Sequence, residues 1–233
     1  TGLSQKGVRD HNERLLLSLL QRNGPTPGSD LSRLAALSPP TVSGILRRLE
    51  AEGLLERGDP VRGKVCKPSI PMRIAPDGAF SFGLKIGRRS ADLVLADFNG
   101  VPRQERQMTY ASPVPEDIFN FLDDAVHSIT RDMTAKQRAR ICGIGIAAPF
   151  EMWNWPDASP ALTDAFTPWV DIDIKSVVQD RTGLEVSLMN DATAACQAEH
   201  TYGRGREFRD YAYFFIGAYI GWGIGPKLAL INI

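Results

Sequence analysis

The sequence predicts an N-terminal all-α/winged helix domain followed by an α/β domain. Three observations predict it. Asp30–Gly53 reads as two short helices joined by a tight turn. A strand, a basic turn and a second strand follow at once, within Leu54–Ile74. From Phe80 the apolar period becomes two, and strands then alternate with helices in the order βββ-α-β-α-β-α-ββ.

Thr1–Asp10 is polar and shows little pattern, so a loose arm is expected there. Asn12–Arg22 carries a leucine-rich face and predicts the first helix, stopped by Asn23-Gly24-Pro25. Pro27-Gly28-Ser29 reads as a loop, with Ser29 a candidate cap for the second helix. Leu31, Leu34 and Ala35 give that helix one apolar face. Val42, Ile45, Leu46 and Leu49 give the third helix another, at i, i+3, i+4 and i+7. Ser38 can cap the third helix, proline is tolerated in its first turn, and Gly53 can follow its end.

The outer face of the third helix holds Thr41, Ser43, Gly44, Arg47 and Arg48. Small hydroxyl residues near a helix start, with arginines one turn on, suit a helix end placed in a DNA major groove. A solvated basic face on an ordinary helix pair fits the same pattern. Ser38, Thr41, Ser43, Arg47 and Arg48 are the candidate contacts on this helix. The strands Leu54–Arg57 and Ser69–Ile74 flank a turn-rich tip, Gly58–Lys64, and together predict a wing. Arg57, Arg62, Lys64 and Lys67 are its candidate DNA contacts, to phosphate or the minor groove.

Ala75–Gly78 predicts a domain boundary, dividing residues 1–76 from 77–233. Phe80–Ile86, Ala91–Asp97 and Val101–Tyr110 read as three strands, with a hairpin turn at Phe98-Asn99-Gly100. Pro115–Met133 predicts an amphipathic helix with Ile118, Phe119, Leu122, Val126 and Ile129 on one face. Ile141–Ala147 is a short apolar strand suited to a buried sheet. Glu151–Trp169 is irregular, holds Trp153, Trp155 and Trp169, and is long enough to suggest a functional loop. A helix at Asp171–Arg181 closed by Gly183, a strand at Glu185–Met189, and a helix from Asn190-Asp191 to near Tyr202 follow. Tyr211–Ile216 and Tyr219–Ile224 read as strands.

Totals narrow the function. The net charge is zero, yet residues 1–76 hold 12 Lys+Arg against 7 Asp+Glu, and residues 77–233 hold 15 against 20. A basic head on an acidic body is what a nucleic-acid module joined to a non-binding domain would show. No apolar run reaches membrane-spanning length, and no signal peptide precedes the first helix. Cys66, Cys142 and Cys196 are too scattered for a disulfide framework or a zinc site. A reduced, cytoplasmic setting is expected.

Several of these stretches together resemble the ROK family of repressors, open reading frames and kinases. Asn12–Ile74, with its basic Gly63-Lys64-x-x-Lys67-Pro68 segment, is similar to the winged helix of ROK repressors. Phe80–Tyr110 is similar to the meander that opens the ROK domain, an actin-like (ribonuclease H-like) fold. Gly143–Pro149 matches its GIGI-x-x-P segment. Asn190-Asp191-Ala192-Thr193-Ala194-Ala195 matches its NDA-x-A-A helix, the most specific of these signatures. Tyr202-Gly203-Arg204-Gly205 and Tyr211–Gly217 also look like the family. The resemblance implies that Asn190 and Asp191 touch a sugar, Asp191 standing where the kinases hold their base. Pattern alone favours the reading in which the two residues only cap a helix.

The chain departs from the family's kinases at both phosphate hairpins. The first reads acid-x-Gly-Gly-Thr in the family and Lys85-Ile86-Gly87-Arg88-Arg89 here. The second reads Gly-Thr-Gly-x-Gly-Gly-Gly in the family and Gly217–Gly223, with Tyr219 and Trp222, here. Loss of a carboxylate, hydroxyls and close backbone approach argues against phosphoryl transfer. The resemblance stops near Gly225, so the fold is expected to be truncated after its first lobe. The family's zinc cluster has no counterpart, and no cofactor is expected. The expectation is a sequence-specific repressor that binds double-stranded operator DNA, senses a sugar or sugar phosphate, and works as a homodimer or higher homo-oligomer. Two alternatives stay open: a sugar kinase with Asp191 as base, and a DNA-binding protein whose second domain is a ligand-free dimerisation scaffold.

Overall fold

The computed structural model describes residues 5–60, 70–149, 167–208, 210–216, 220–225 and 229–231. The chain divides into two compact units, Thr1–Ala79 with Asp97–Asn99, and Phe80–Ala96 with Gly100–Ile233. No helix among the described residues is long and apolar enough to cross a membrane.

In the first unit, α1 (Gln5–Asn23) is followed by β1 (Thr26–Pro27), α2 (Gly28–Ala35), α3 (Pro39–Ala51), β2 (Leu55–Arg57) and β3 (Pro71–Ile74). Helix α1 begins well before Asn12, so half of the expected arm is helical. Its first turns are polar and carry no apolar period, which is why pattern misses them. Ser29 does not cap α2; the helix starts at Gly28, and its N-cap, Pro27, makes no side-chain hydrogen bond to it. Leu34 points outward at 54% exposure, while Leu31 is fully buried. The turn between α2 and α3 runs through Ala36 at φ +52°, a left-handed conformation.

The start of α3 is as expected. Ser38 is its N-cap, with Pro39 at the first helical position. Its end is a Schellman turn: Gly53 sits at φ +73°, its N–H donates to Glu50 O, and Leu54 N–H donates to Leu49 O at 2.9 Å. Strands β2 and β3 pair antiparallel, with Leu55 opposite Ile74, and β1 adds a third strand on the far edge of β3. The inner faces of all three helices meet these strands in one cluster around Leu16, Leu20, Leu31, Val42, Leu49 and Ile74.

The second unit contains β4 (Phe80–Ile86), β5 (Ser90–Asp97, whose last residue falls in the first unit), β6 (Pro102–Thr109), α4 (Pro115–Arg131), a short α5 (Ala135–Arg138) and β7 (Ile141–Ala148). Then come α6 (Ile174–Thr182), β8 (Val186–Asn190), α7 (Asp191–Tyr202), β9 (Tyr211–Ile216), β10 (Ile220–Gly225) and β11 (Ala229–Ile231). Five strands form one sheet in the order β6-β5-β4-β7-β8, with β4, β7 and β8 mutually parallel. Three meander strands beside two parallel ones is the arrangement expected of the actin-like fold. Strands β9, β10 and β11 form a separate antiparallel sheet.

Alternation sorts the five-stranded sheet into two faces. Phe82, Leu84, Ile86, Leu93, Leu95, Ile144 and Ile146 point to one face and are buried with Ile118, Phe119 and Leu122 of α4 and Val178 of α6. Strand β7 is thus buried on its isoleucine face, whereas Gly145 meets open space on the other. Trp169 belongs to the closed face. It is 2% exposed, and its indole N–H donates to Pro113 O at 2.6 Å. The other two tryptophans of that loop lie outside the described residues.

The hairpin between β5 and β6 turns as expected. Asn99 N–H donates to Asp97 Oδ1 at 2.9 Å, and Gly100 has φ +78°. A Cβ at Gly100 would run into the Tyr202 ring of α7. Gly100→Ala is therefore expected to destabilise the chain by about 1–2 kcal/mol or more, from left-handed backbone strain plus this clash. Urea titration followed by circular dichroism measures it, and an unchanged midpoint would contradict the close approach.

Candidate functional site

Two places collect the residues the sequence singled out. The first is the outer face of α3. Ser38 Oγ accepts from Thr41 N–H at 3.4 Å and lies 2.8 Å from Thr41 Oγ1, so one hydroxyl pair closes the helix start. Thr41 and Arg47 are exposed and Ser43 is half-buried. Arg47 Nη2 donates to Ser43 Oγ at 3.0 Å, which holds the guanidinium along the helix. Ser38 with Thr41, and Ser43 with Arg47, therefore form two polar pairs on the flanks of the face turned away from the apolar core.

Arg48 is presented differently. It forms an ion pair with Glu13 of α1 and lies 4.0 Å from Glu52. Expected to stand with Arg47, it instead ties α3 to α1. A pattern read along one helix cannot show a partner on another. The contrast is testable. Arg47→Ala should weaken binding to a selected duplex by about 1–3 kcal/mol with no change in melting temperature. Arg48→Ala should lower stability by about 1 kcal/mol, since the pair is only partly screened from solvent. Equal effects of the two variants on both readouts would contradict this division.

On the wing, Arg57 donates to Glu50 Oε1 at 2.7 Å and to Oε2 at 3.3 Å. That hydrogen bond holds the Glu50 carboxyl below its ordinary range. Both partners are solvent-accessible, so the pair is weak and a phosphate oxygen can take over from Glu50. Arg62, Lys64 and Lys67 lie outside the described residues.

The second place is the start of α7. Asn190 ends β8 directly beside Ala148, the last residue of β7. It therefore stands at the carboxyl ends of the parallel strands, where open α/β sheets place their ligands. Asn190 is buried and caps α7: its Oδ1 accepts from Ala192 N–H at 3.0 Å and from Thr193 N–H at 3.4 Å. Asp191 is half-buried, and its Oδ1 accepts from Ala192 N–H at 2.8 Å. The capping role is thus realised, and the Asp191 carboxylate borders the same strand ends.

The first phosphate hairpin is closed from one side. Tyr110 O–H reaches both Gly87 O at 2.6 Å and Ser90 O at 2.8 Å. Burial pushes the phenol's pKa well above its ordinary value. Lys85 is exposed on the open sheet face, opposite Ala147. The turn of the second hairpin, 217–219, lies outside the described residues. A cavity of about 840 Å³ opens on this sheet face, between residues such as Lys85, Asp92 and Gln107 and the outer side of α7. Neither Asn190 nor Asp191 lines it. Among the described residues, no cluster of three or more His, Cys, Asp and Glu side chains could hold a metal ion.

These two units define a class: a winged helix-turn-helix module followed by an actin-like α/β domain. The chain belongs to the ROK family, whose model matches residues 81–230. A winged helix-turn-helix DNA-binding model matches residues 9–56. The family match passes the Gly225 limit suggested by the motifs, and Ala229 and Leu230 pair with β10 inside the extended part. The xylose repressor of Bacillus spizizenii is 26% identical over 223 residues, covering 94% of this chain and 56% of that protein. The DNA-binding transcriptional repressor Mlc of Escherichia coli is 23% identical over 225 residues, covering 93% and 53%. The crystal structure of a ROK family transcriptional regulator, a homologue of the E. coli Mlc protein, superposes with a TM-score of 0.66 at 18% identity. It covers 96% of this chain and 56% of that one, and shows the shared fold. The chain spans about half the length of the curated relatives it matches.

Proposed function

We propose that the chain is the DNA-binding and effector-sensing part of a transcriptional repressor. The observation that carries this is α3: a capped helix, packed by its inner face, with Thr41 and Arg47 exposed and Ser43 held against Arg47 away from the core. Its outer face enters the major groove of double-stranded operator DNA, and Arg47 is the principal base reader. Arg57, with Arg62, Lys64 and Lys67, adds phosphate or minor-groove contacts from the wing. Two copies of the chain bind two half-sites. The work is done in the cytoplasm, where the DNA is.

The effector is a sugar or sugar phosphate held at the carboxyl ends of β7 and β8. The Asp191 carboxylate accepts from its hydroxyls, and Asn190 fixes the start of α7 beside it. The sugar and the operator must then alter each other's affinity by the same factor. Asp191→Ala should leave operator affinity within about twofold while abolishing release by the sugar. Fluorescence anisotropy of a selected duplex, titrated with a hexose and pentose panel, gives both readouts. Operator binding that is lost together with the response would contradict a purely sensory Asp191.

A second reading makes the α/β domain a ligand-free dimerisation scaffold. It is favoured by the hydrogen bonds that already occupy Asn190 Oδ1 and by the fact that neither Asn190 nor Asp191 lines the large cavity. On this reading Asp191→Ala is silent in every condition. A sugar kinase is disfavoured by Lys85 in place of the family's acid: phosphoryl transfer rests on positioning and charge neutralisation, which a base alone does not supply. No ATP turnover is expected with any sugar of the panel.

A further inference from the structure

A second feature of the first unit deepens the DNA-binding reading and rests on it. Gly44 lies in the middle of α3, where glycine is less favourable than alanine because it has more backbone freedom to lose. Nothing packed against the helix requires it: beyond the helix's own backbone, no atom lies within 4 Å of the place a Cβ would occupy. Its backbone is that of the surrounding α-helix. The missing side chain therefore serves neither internal packing nor an unusual backbone shape.

The space in front of Gly44 is bounded. Helix α1, with its unforeseen first turns, runs alongside and leaves a groove of about 450 Å³ between the two helices. Val8, Arg9 and Asn12 line it from α1, and Thr41, Gly44 and Arg48 from α3. Val8 is 43% exposed and offers an apolar wall. Arg9 is exposed and offers a guanidinium at the rim. A bare helix backbone between an apolar wall and a cation fits a strand whose sugars and methyl groups are apolar and whose phosphates are anionic. The excess of basic residues in this half of the chain favours DNA over an acidic-faced copy of the same protein.

We infer that the groove between α1 and α3 is a further DNA contact, in which the α3 backbone at Gly44 meets the DNA directly and Arg9 holds a phosphate. Alanine at position 44 fits the free protein and obstructs only the bound state. The test uses the full chain and a duplex selected by the wild type from a random-sequence pool. Gly44→Ala and Arg9→Ala are compared with wild type by thermal melting, by sedimentation, and by binding between 50 and 200 mM salt, a range that resolves phosphate contacts.

Gly44→Ala is expected to melt no lower than wild type yet bind the selected duplex about tenfold or more weakly. Arg9→Ala is expected to weaken selected and unselected duplexes alike and to reduce the salt slope by about one. Unchanged binding by Gly44→Ala together with an unchanged slope for Arg9→Ala would overturn the inference while leaving the recognition-helix reading intact. So would a change confined to the oligomeric state, which would assign the groove to a second copy. A wild-type chain that enriches no sequence would remove the DNA reading itself.

Discussion

Leu49→Ala is expected to lower the stability of the chain by about 2–5 kcal/mol, the range for emptying a buried leucine site. Leu49 is 1% exposed and lies on the inner face of α3, in the cluster with Leu16, Leu31 and Ile74. Its carbonyl also receives the Leu54 N–H that closes the helix. Small domains are stable by about 5–15 kcal/mol, so this loss consumes a large share. DNA binding should fail with it, because the outer face of α3 is positioned only by the inner one. Arg47→Ala makes the opposite pairing, with binding lost and stability kept. Denaturant titration beside duplex titration separates the two. If Leu49→Ala melts like wild type, the inner face of α3 is not a core, and the orientation of Thr41, Ser43 and Arg47 loses its basis.

Trp169→Ala is expected to cost about 3–5 kcal/mol. The indole is buried against Phe119, with ring centroids 5.8 Å apart and planes tilted by 60°. Truncation removes that contact and leaves Pro113 O without the N–H it now accepts. A buried acceptor left unpaired costs about 1–3 kcal/mol, already part of the upper range. Trp169→Phe restores most of the apolar volume and none of the hydrogen bond, so it should fall between alanine and wild type. A phenylalanine variant as unstable as the alanine one would mean that the hydrogen bond, rather than the packing, anchors this segment.

The parts of the fold that sequence reveals are those governed by local chemistry. Ser38, Pro39 and Gly53 mark both ends of α3, and Val42, Ile45, Leu46 and Leu49 mark its buried face, because caps and helical period are local. Strand alternation reveals the meander for the same reason. What escapes is set by partners distant in the chain. Glu13 claims Arg48 from another helix. Pro113 and Phe119 turn Trp169 from a loop residue into a core anchor. The first turns of α1 escape because a polar helix has no period to read. Asn190 and Asp191 stand apart from both groups: helix capping accounts for the hydrogen bonds they make, and only their resemblance to a family signature suggests a ligand. Their place at the carboxyl ends of β7 and β8 is what geometry adds.

The central proposal is that α3 reads operator DNA and that a sugar at Asp191 releases it. Selection of bound duplexes from a random pool, with and without a mixed sugar library, tests it most directly. The account predicts enrichment of a palindromic site that one sugar pool releases, and loss of that release in Asp191→Ala. A palindrome bound equally well under every sugar would contradict the sensing half of the account, and no enriched sequence at all would contradict the whole.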